Sequence, residues 1–245
     1  AARLDQQMRP RHGGCCDPSF RGYAPGMDDE SPIPAKPKLV ETKRQWAKEG
    51  RGLTGQPDAQ RGRRLPPGQH TVRDWPVLDL GTHPNPGLRD WKLTIEGLVE
   101  KPVTWSWTDF AALPQSEMVS DIHCVTSWSR YDNRWSGVAA RHLLALVRPK
   151  REAKHVLFTS YDSYTTNLPI DVFGGEDVIL ASHWQGEPLT RPHGGPVRVV
   201  VPKKYFWKSA KWVKRIRFVD KDHPGYWEVR GYHNDGDPWL EQRYR

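Results

Sequence analysis

The segment His193-Gly194-Gly195-Pro196-Val197-Arg198-Val199-Val200-Val201-Pro202, followed by Lys208-Ser209-Ala210-Lys211-Trp212, joins a glycine turn to an apolar run and then to a basic loop. The valines read as a core strand, because β-branched side chains pack well on a pleated, half-buried surface. Gly194 and Gly195 let the backbone approach a ligand closely. The strand then presents Arg198, and the next turn presents Lys208 and Lys211. A planar guanidinium and two ammonium groups near exposed backbone N–H groups suit a terminal phosphate. The same residues also fit a turn and an edge strand with solvated charges, and spacing alone does not separate the two readings.

Working outward, Val156-Leu157-Phe158-Thr159-Ser160 and Val178-Ile179-Leu180-Ala181 have the same strand character, and Trp91 to Gly97 alternates like a half-buried strand. Thr108 to Leu113, before Pro114, reads as a short helix with a capping hydroxyl, and Val138 to Val147 has helical spacing. With 22 Pro, 21 Gly and 12 Trp in 245 residues, short strands and turns are favoured over long helices. The expected fold is one mixed, β-rich α+β domain over residues 76–245. Residues 1–75 lack periodicity and are rich in Arg, Pro, Gly and Gln, so an extended basic arm is expected there. Met27 reads as the natural start, with residues 1–26 an upstream extension. No apolar run approaches the roughly 20 residues that a membrane-crossing helix needs. Without an apolar or twin-arginine leader a cytoplasmic location is expected, or a periplasmic one if an export signal is missing from the chain.

Cys124 lies in Ser120-Asp121-Ile122-His123-Cys124-Val125-Thr126-Ser127-Trp128-Ser129, and the other two cysteines are the adjacent Cys15 and Cys16. That distribution makes neither a disulfide framework nor a zinc spacing. A lone thiol is either a soft ligand for a redox metal or a small apolar filler. The net charge of +8 adds a second question. No Asp or Glu interrupts the basic residues between Pro188 and Val219, so a phosphate or a nucleic acid could be the partner.

Taken together, the HCVTSWS segment with Cys124, Asn133-Arg134-Trp135-Ser136-Gly137, Gly186-Glu187-Pro188-Leu189, HGGPVRVVVP and KSAKW resemble the molybdenum-cofactor domain of the sulfite oxidase family. The likeness covers about Trp75 to Trp239 and is strongest to short, stand-alone bacterial members. It implies a sulfite-oxidase-type fold around one molybdopterin, the mononuclear molybdenum cofactor, with Cys124 as the protein's metal ligand. His193 and Arg198 match positions that contact the pterin and its phosphate, and Lys208, Ser209 and Lys211 match the following cofactor loop. Asn167 and His83 fall in further cofactor-contacting segments. Tyr232 matches a tyrosine that approaches the metal, and Trp135 a pocket tryptophan. His123 is read as a core histidine, not a ligand. The implied chemistry is two-electron oxygen-atom transfer on a small molecule, with electrons exchanged through a separate haem, flavin or quinone-linked partner. With no C-terminal dimerisation domain in the sequence, a monomer is expected, and nucleic-acid binding is the competing reading from another class.

Two departures bear on the substrate. Sulfite oxidases place arginines soon after the cysteine, whereas here Val125-Thr126-Ser127-Trp128-Ser129 precede Arg130. Pro202-Lys203-Lys204-Tyr205 before Lys208 is more similar to the bacterial branch that reduces methionine sulfoxide. A reductase of the same fold is therefore the alternative within the enzyme class.

Overall fold

Residues 64–245 are described in the computed structural model, together with Lys38, Glu41, Thr42 and Gln45. The expected start at Met27, the Cys15-Cys16 pair and most of the expected arm lie outside the described residues. Inside the span expected to be arm, Leu65, Gln69 and Trp75 are buried, and β1 (His70–Thr71) pairs in parallel with β5 (Trp128–Ala139). Packed structure thus begins by Leu65 rather than at 76, because a two-residue strand is too short to leave a periodic trace.

The remaining strands are β2 (Lys92–Gly97), β3 (Val103–Ser106), β4 (Ser116–His123), β6 (His155–Ser160), β7 (Thr165–Pro169), β8 (Ile179–Trp184), β9 (Glu187–Pro188), β10 (Arg198–Val200) and β11 (Val213–Val219). One sheet has the order β1-β5-β8-β10, with β4 also on β5 and β9 on β8; the other runs β3-β2-β11-β6-β7. Three short helices complete the domain: α1 (Trp107–Ala112), α2 (Ala140–Val147) and α3 (Ile170–Phe173). The fold is the expected mixed, β-rich α+β type.

Two helix expectations shift at their N-terminal ends. The cap of α1 is Ser106, not Thr108: its hydroxyl accepts from the Asp109 N–H at 3.3 Å while the Asp109 carboxylate accepts from the Ser106 N–H at 2.9 Å. Val138 and Ala139 are not helical, since they continue β5 opposite Leu180 and Ile179 of β8. The helix starts at Ala140 and buries Ala140, Leu143 and Val147.

The first sheet separates two cores, and strand alternation assigns each residue to a side. Val197, Val199, Val201, Leu180 and Val138 join Leu93, Ile95, Phe158, Ile216 and Phe218 in one aliphatic-rich cluster against the second sheet. Val200, Ile179, Ala181, Trp128 and Trp135 join Trp75, Cys124, Tyr205, Trp227 and Tyr232 in the other. Arg198, two positions from Val200, is on the side of the second cluster.

Candidate active site

Cys124 stands at the end of the β4–β5 hairpin. Its N–H donates to the Trp128 carbonyl at 2.8 Å, and its carbonyl accepts from the Ser127 N–H at 3.0 Å, which closes a tight turn over Cys124, Val125, Thr126 and Ser127. Ser127 takes a left-handed φ of 70° to complete it. Two distant segments brace the turn. Gln69 donates its side-chain amide to the Cys124 carbonyl at 3.0 Å, and Arg243 donates to the Val125 carbonyl at 2.5 Å. The sulfur is 3.2 Å from the Thr126 hydroxyl. His123 lies behind, with Nδ1 2.8 Å from the Ser129 hydroxyl, and burial pushes its pKa down to about 4, so the ring is neutral.

The turn opens into a cleft of about 860 Å³, counting its solvent-open mouth. Its walls are largely indoles and phenols: Trp75, Trp128, Trp207, Trp212, Trp227, Tyr164 and Tyr232, with Phe206. Among these sit Arg198, Ser209, Lys211, Asp79, Ser160 and Asp162. This is the character of a preformed ligand pocket, mostly apolar with a few placed polar groups.

Arg198 is the exceptional charge. It is 1% exposed, and its guanidinium donates to the carbonyls of His193 at 2.7 Å and Ser209 at 3.0 Å. It lies over the rings of Phe206 and Trp75, at 4.2 and 5.2 Å. No carboxylate among the described residues pairs with it, and burial alone lowers its pKa to about 9. A buried cation without an anion is costly, and an anionic ligand entering the cleft would neutralise it. Two further buried polar atoms of the cleft residues, Trp128 Nε1 and Ser160 Oγ, have no hydrogen-bond partner. Among the described residues no three His, Cys, Asp or Glu side chains converge to hold a metal. A metal at Cys124 would need donors beyond the described side chains, and the cleft's unneutralised arginine and unpartnered polar atoms fit a group that carries a phosphate and ring heteroatoms.

Of the residues singled out from sequence, Cys124, Arg198, Ser209, Lys211 and Tyr232 line this cleft together. The others are placed around it. His193 stacks on Trp75 at 4.0 Å and donates Nε2–H to the Trp75 carbonyl at 3.1 Å, leaving Nδ1 to accept from the Thr190 hydroxyl. His83 bonds Asp79 at 2.6 Å, while Leu78, Asp79 and Leu80 of the same segment reach the cleft. Trp135 is fully buried beneath Trp75, with its indole N–H on the Ser120 hydroxyl at 3.0 Å. Asn167 and Lys208 are joined to each other below the cleft floor, the ammonium 2.9 Å from the Asn167 side-chain oxygen.

The two glycines also serve the chain's own packing. A Cβ at Gly195 would collide with the Leu189 carbonyl, and Gly194, at φ 103°, packs against Lys211. Both let the chain approach itself closely. Sequence reasoning did not single out Trp75, Ser160, Asp162 and Trp207 as site residues, and the density of aromatic residues is a signal for the two tryptophans alone. Burial pushes the Asp162 carboxyl up to about 6, whereas Asp79, although burial acts the same way on it, is held below its ordinary value by His83, the Gly81 N–H and Lys211.

The basic stretch is not a bare cationic face. Lys203 pairs with Asp177, Lys204 with Asp235, Lys208 with Glu228, Lys211 with Asp79 and Arg215 with Glu96. Arg191 donates to the His83 carbonyl at 2.8 Å. Arg130, the first arginine after Cys124, is turned toward Asn133 at 2.5 Å and the Arg73 carbonyl at 3.0 Å, and it lies over Trp184.

Comparison with known proteins gives a consistent assignment. The model of the oxidoreductase molybdopterin binding domain matches residues 80–227. The uncharacterized oxidoreductase YuiH of Bacillus subtilis (strain 168) is 46% identical over 194 residues, covering 79% of this chain and 97% of that protein. The catalytic subunit MsrP of a protein-methionine-sulfoxide reductase from Ralstonia nicotianae is 31% identical over 193 residues; the alignment covers 70% of this chain and only 57% of that relative. Among solved structures, the sulfane dehydrogenase SoxCD of Paracoccus pantotrophus superposes with a TM-score of 0.53 at 21% identity, over 88% of this chain and 60% of that one, which shows a shared fold.

Proposed function

The chain belongs to the family of oxidoreductases with a molybdopterin binding domain, and from that premise we propose that it reduces a neutral organic S-oxide by two-electron oxygen-atom transfer. The observation that carries the substrate class is the turn after Cys124. It brings Val125 and Thr126, not arginines, to the cleft, and Arg130 faces Asn133 instead. A dianion such as sulfite would meet few uncommitted cations there, whereas a thioether oxide offers apolar groups to indole walls and one oxygen to a hydrogen-bond donor. The likeness to methionine-sulfoxide reductase subunits supports the same direction.

Molybdopterin, when bound, supplies a metal that exchanges an oxygen atom and two electrons with substrate. The chain's own residues bind and orient. Cys124 would offer its sulfur, 3.2 Å from the Thr126 hydroxyl, to the metal, and Arg198 would hold the cofactor's phosphate from the frame of carbonyls it already bonds. Tyr232, which lines the cleft and packs against Trp207 and Trp227, would offer its phenol O–H to the substrate oxygen. Reduction of the S-oxide consumes two electrons and two protons and yields thioether and water. The electrons come from a separate redox partner.

Purified holoenzyme assayed with methionine sulfoxide or dimethyl sulfoxide and a reduced viologen dye, and in parallel with sulfite and ferricyanide, tests this reading. Sulfoxide-dependent dye oxidation without sulfite turnover is expected; sulfite oxidation with no sulfoxide reduction would overturn it.

A further inference from the structure

Below the cleft floor lies an ion pair that the chemistry above does not use. Glu228 is 0% and Lys208 1% exposed, and the ammonium stands 2.7 Å from Glu228 Oε1. That oxygen also accepts from the Trp207 indole N–H at 2.9 Å and from the Thr166 hydroxyl at 3.0 Å. Lys208 completes its shell on the Asn167 carbonyl and side-chain oxygen, at 3.1 and 2.9 Å. The other carboxylate oxygen, Oε2, is buried without a partner. An apolar pair of similar volume would fill this space without desolvating two charges, so stability alone gives no reason for the arrangement.

Its connections supply one. Glu228 opens the short 3-10 turn Glu228–Arg230, and its carbonyl accepts from the Gly231 N–H at 3.2 Å, where Gly231 turns the chain at φ 96° into Tyr232. Tyr232 then donates its own N–H to the Trp227 carbonyl at 3.1 Å. Its ring meets Trp207 edge-on at 5.1 Å and Trp227 at 4.8 Å. Both indoles that clamp the phenol are thus tied to Glu228, one through its side chain and one as its chain neighbour. Through Thr166 the same carboxylate pins the turn to β7. Neither Glu228, Lys208 nor Thr166 lines the cleft.

We propose that Glu228, held by Lys208, is a positioning residue that fixes the stance of Tyr232 and Trp207 at the reacting end of the cleft. The assignment rests on this cleft being the reaction site, not on which substrate uses it. Three holoenzyme variants test it: Thr166→Val, Glu228→Gln and the double apolar replacement Lys208→Met/Glu228→Leu.

In Glu228→Gln, kcat falls by about tenfold or more, because a small displacement of a positioned group is costly to rate. KM stays within about twofold, and molybdenum and pterin content per chain is unchanged. The near-ultraviolet circular dichroism of the indoles and phenols changes. The double variant unfolds no more readily than wild type yet stays slow, because Trp207 and Thr166 have lost their acceptor. A merely structural pair would instead recover full kcat in that variant, and such recovery with a wild-type dichroism spectrum overturns the proposal. Thr166→Val removes a single donor and changes shape little, so it reports even where the charge variants do not fold. A severalfold loss of kcat is expected of it, and wild-type kcat with wild-type dichroism would count against the role. Should wild-type enzyme oxidise sulfite and leave sulfoxides untouched, the substrate reading fails, while the same kcat comparison made with sulfite still decides the role of Glu228.

Discussion

The two cores on either side of the first sheet are built from different materials. The cluster against the second sheet takes Leu93, Ile95, Phe158, Leu180, Val199, Ile216 and Phe218 mainly from strand positions that alternate. The cluster at the cleft takes Trp75, Cys124, Trp227 and Tyr232 from loops and turns. The difference teaches that one core is packed for stability and the other for placement. Strands can be mutually supporting across a regular ladder, whereas loop residues are held one by one through contacts such as Gln69 to Cys124 and Glu228 to Trp207.

The sharpest test exchanges one atom in the placement core. Cys124→Ser leaves volume and hairpin hydrogen bonds in place, so the urea midpoint stays near wild type and the pterin is retained by its other contacts. Turnover falls to background, because a hard hydroxyl replaces the soft thiolate. Near-normal activity would return Cys124 to the role of core filler. The matching test on the scaffold side is Phe158→Ala, which empties a fully buried site beside Phe173. It is expected to cost about 3–5 kcal/mol in urea unfolding, while the holoenzyme that remains folded keeps its kcat. A large change in kcat at unchanged stability would mean that the two cores are not separable.

What could be read in advance follows the same division. The segments around Phe158, Leu180 and Val199 read as strands because each is a short apolar run, and Trp91 to Gly97 does so because it alternates. The site around Cys124 and Arg198 was legible only through the resemblance of several ordered motifs to one family, because residue type and spacing left ligand and filler, phosphate site and solvated edge strand, both open. The β4–β5 hairpin was not, since Ser116 to Ser120 alternates between exposed and half-buried residues and leaves no apolar trace. Nor could local sequence say that His193 bonds the Trp75 carbonyl, or that Lys208 faces Glu228, because those partners are brought together only by the tertiary fold. Trp135 reads equally well as pocket or core residue; its register opposite Trp184 and Met118 buries it.

A pH comparison separates the cleft from the scaffold more finely. Burial pushes the Asp162 carboxyl up to about 6, while in the unfolded chain it titrates in the ordinary carboxylate range. Below roughly pH 3 both states hold the proton and the group is neutral in each. As pH rises from there, the unfolded chain gives up its proton first, so stability falls until the folded carboxyl has ionised as well. The full loss is roughly 3 kcal/mol above about pH 7. In cofactor-free protein, Asp162→Asn removes that slope. Urea midpoints taken across the interval check it, and parallel curves for variant and wild type would place the carboxyl in water.

The smallest effect is expected where the two cores share a strand. β10 sends Val199 into the scaffold and Arg198 to the cleft side, so a change at 198 leaves the aliphatic packing untouched while altering the charge the cleft offers. Arg198→Met fills a similar volume and withdraws the guanidinium from the His193 and Ser209 carbonyls. A charge-assisted contact to a phosphate is worth about 1.5–3 kcal/mol, or roughly ten- to hundredfold in affinity. Molybdenum and pterin per chain should therefore fall in protein made under limiting cofactor and recover under excess. Arg198→Lys tests whether charge or shape matters: it keeps the cation but not the planar fork that spans both carbonyls, so partial recovery is expected. Full occupancy in Arg198→Met under limiting cofactor would show that the phosphate is held elsewhere, and the buried guanidinium would then belong with the scaffold.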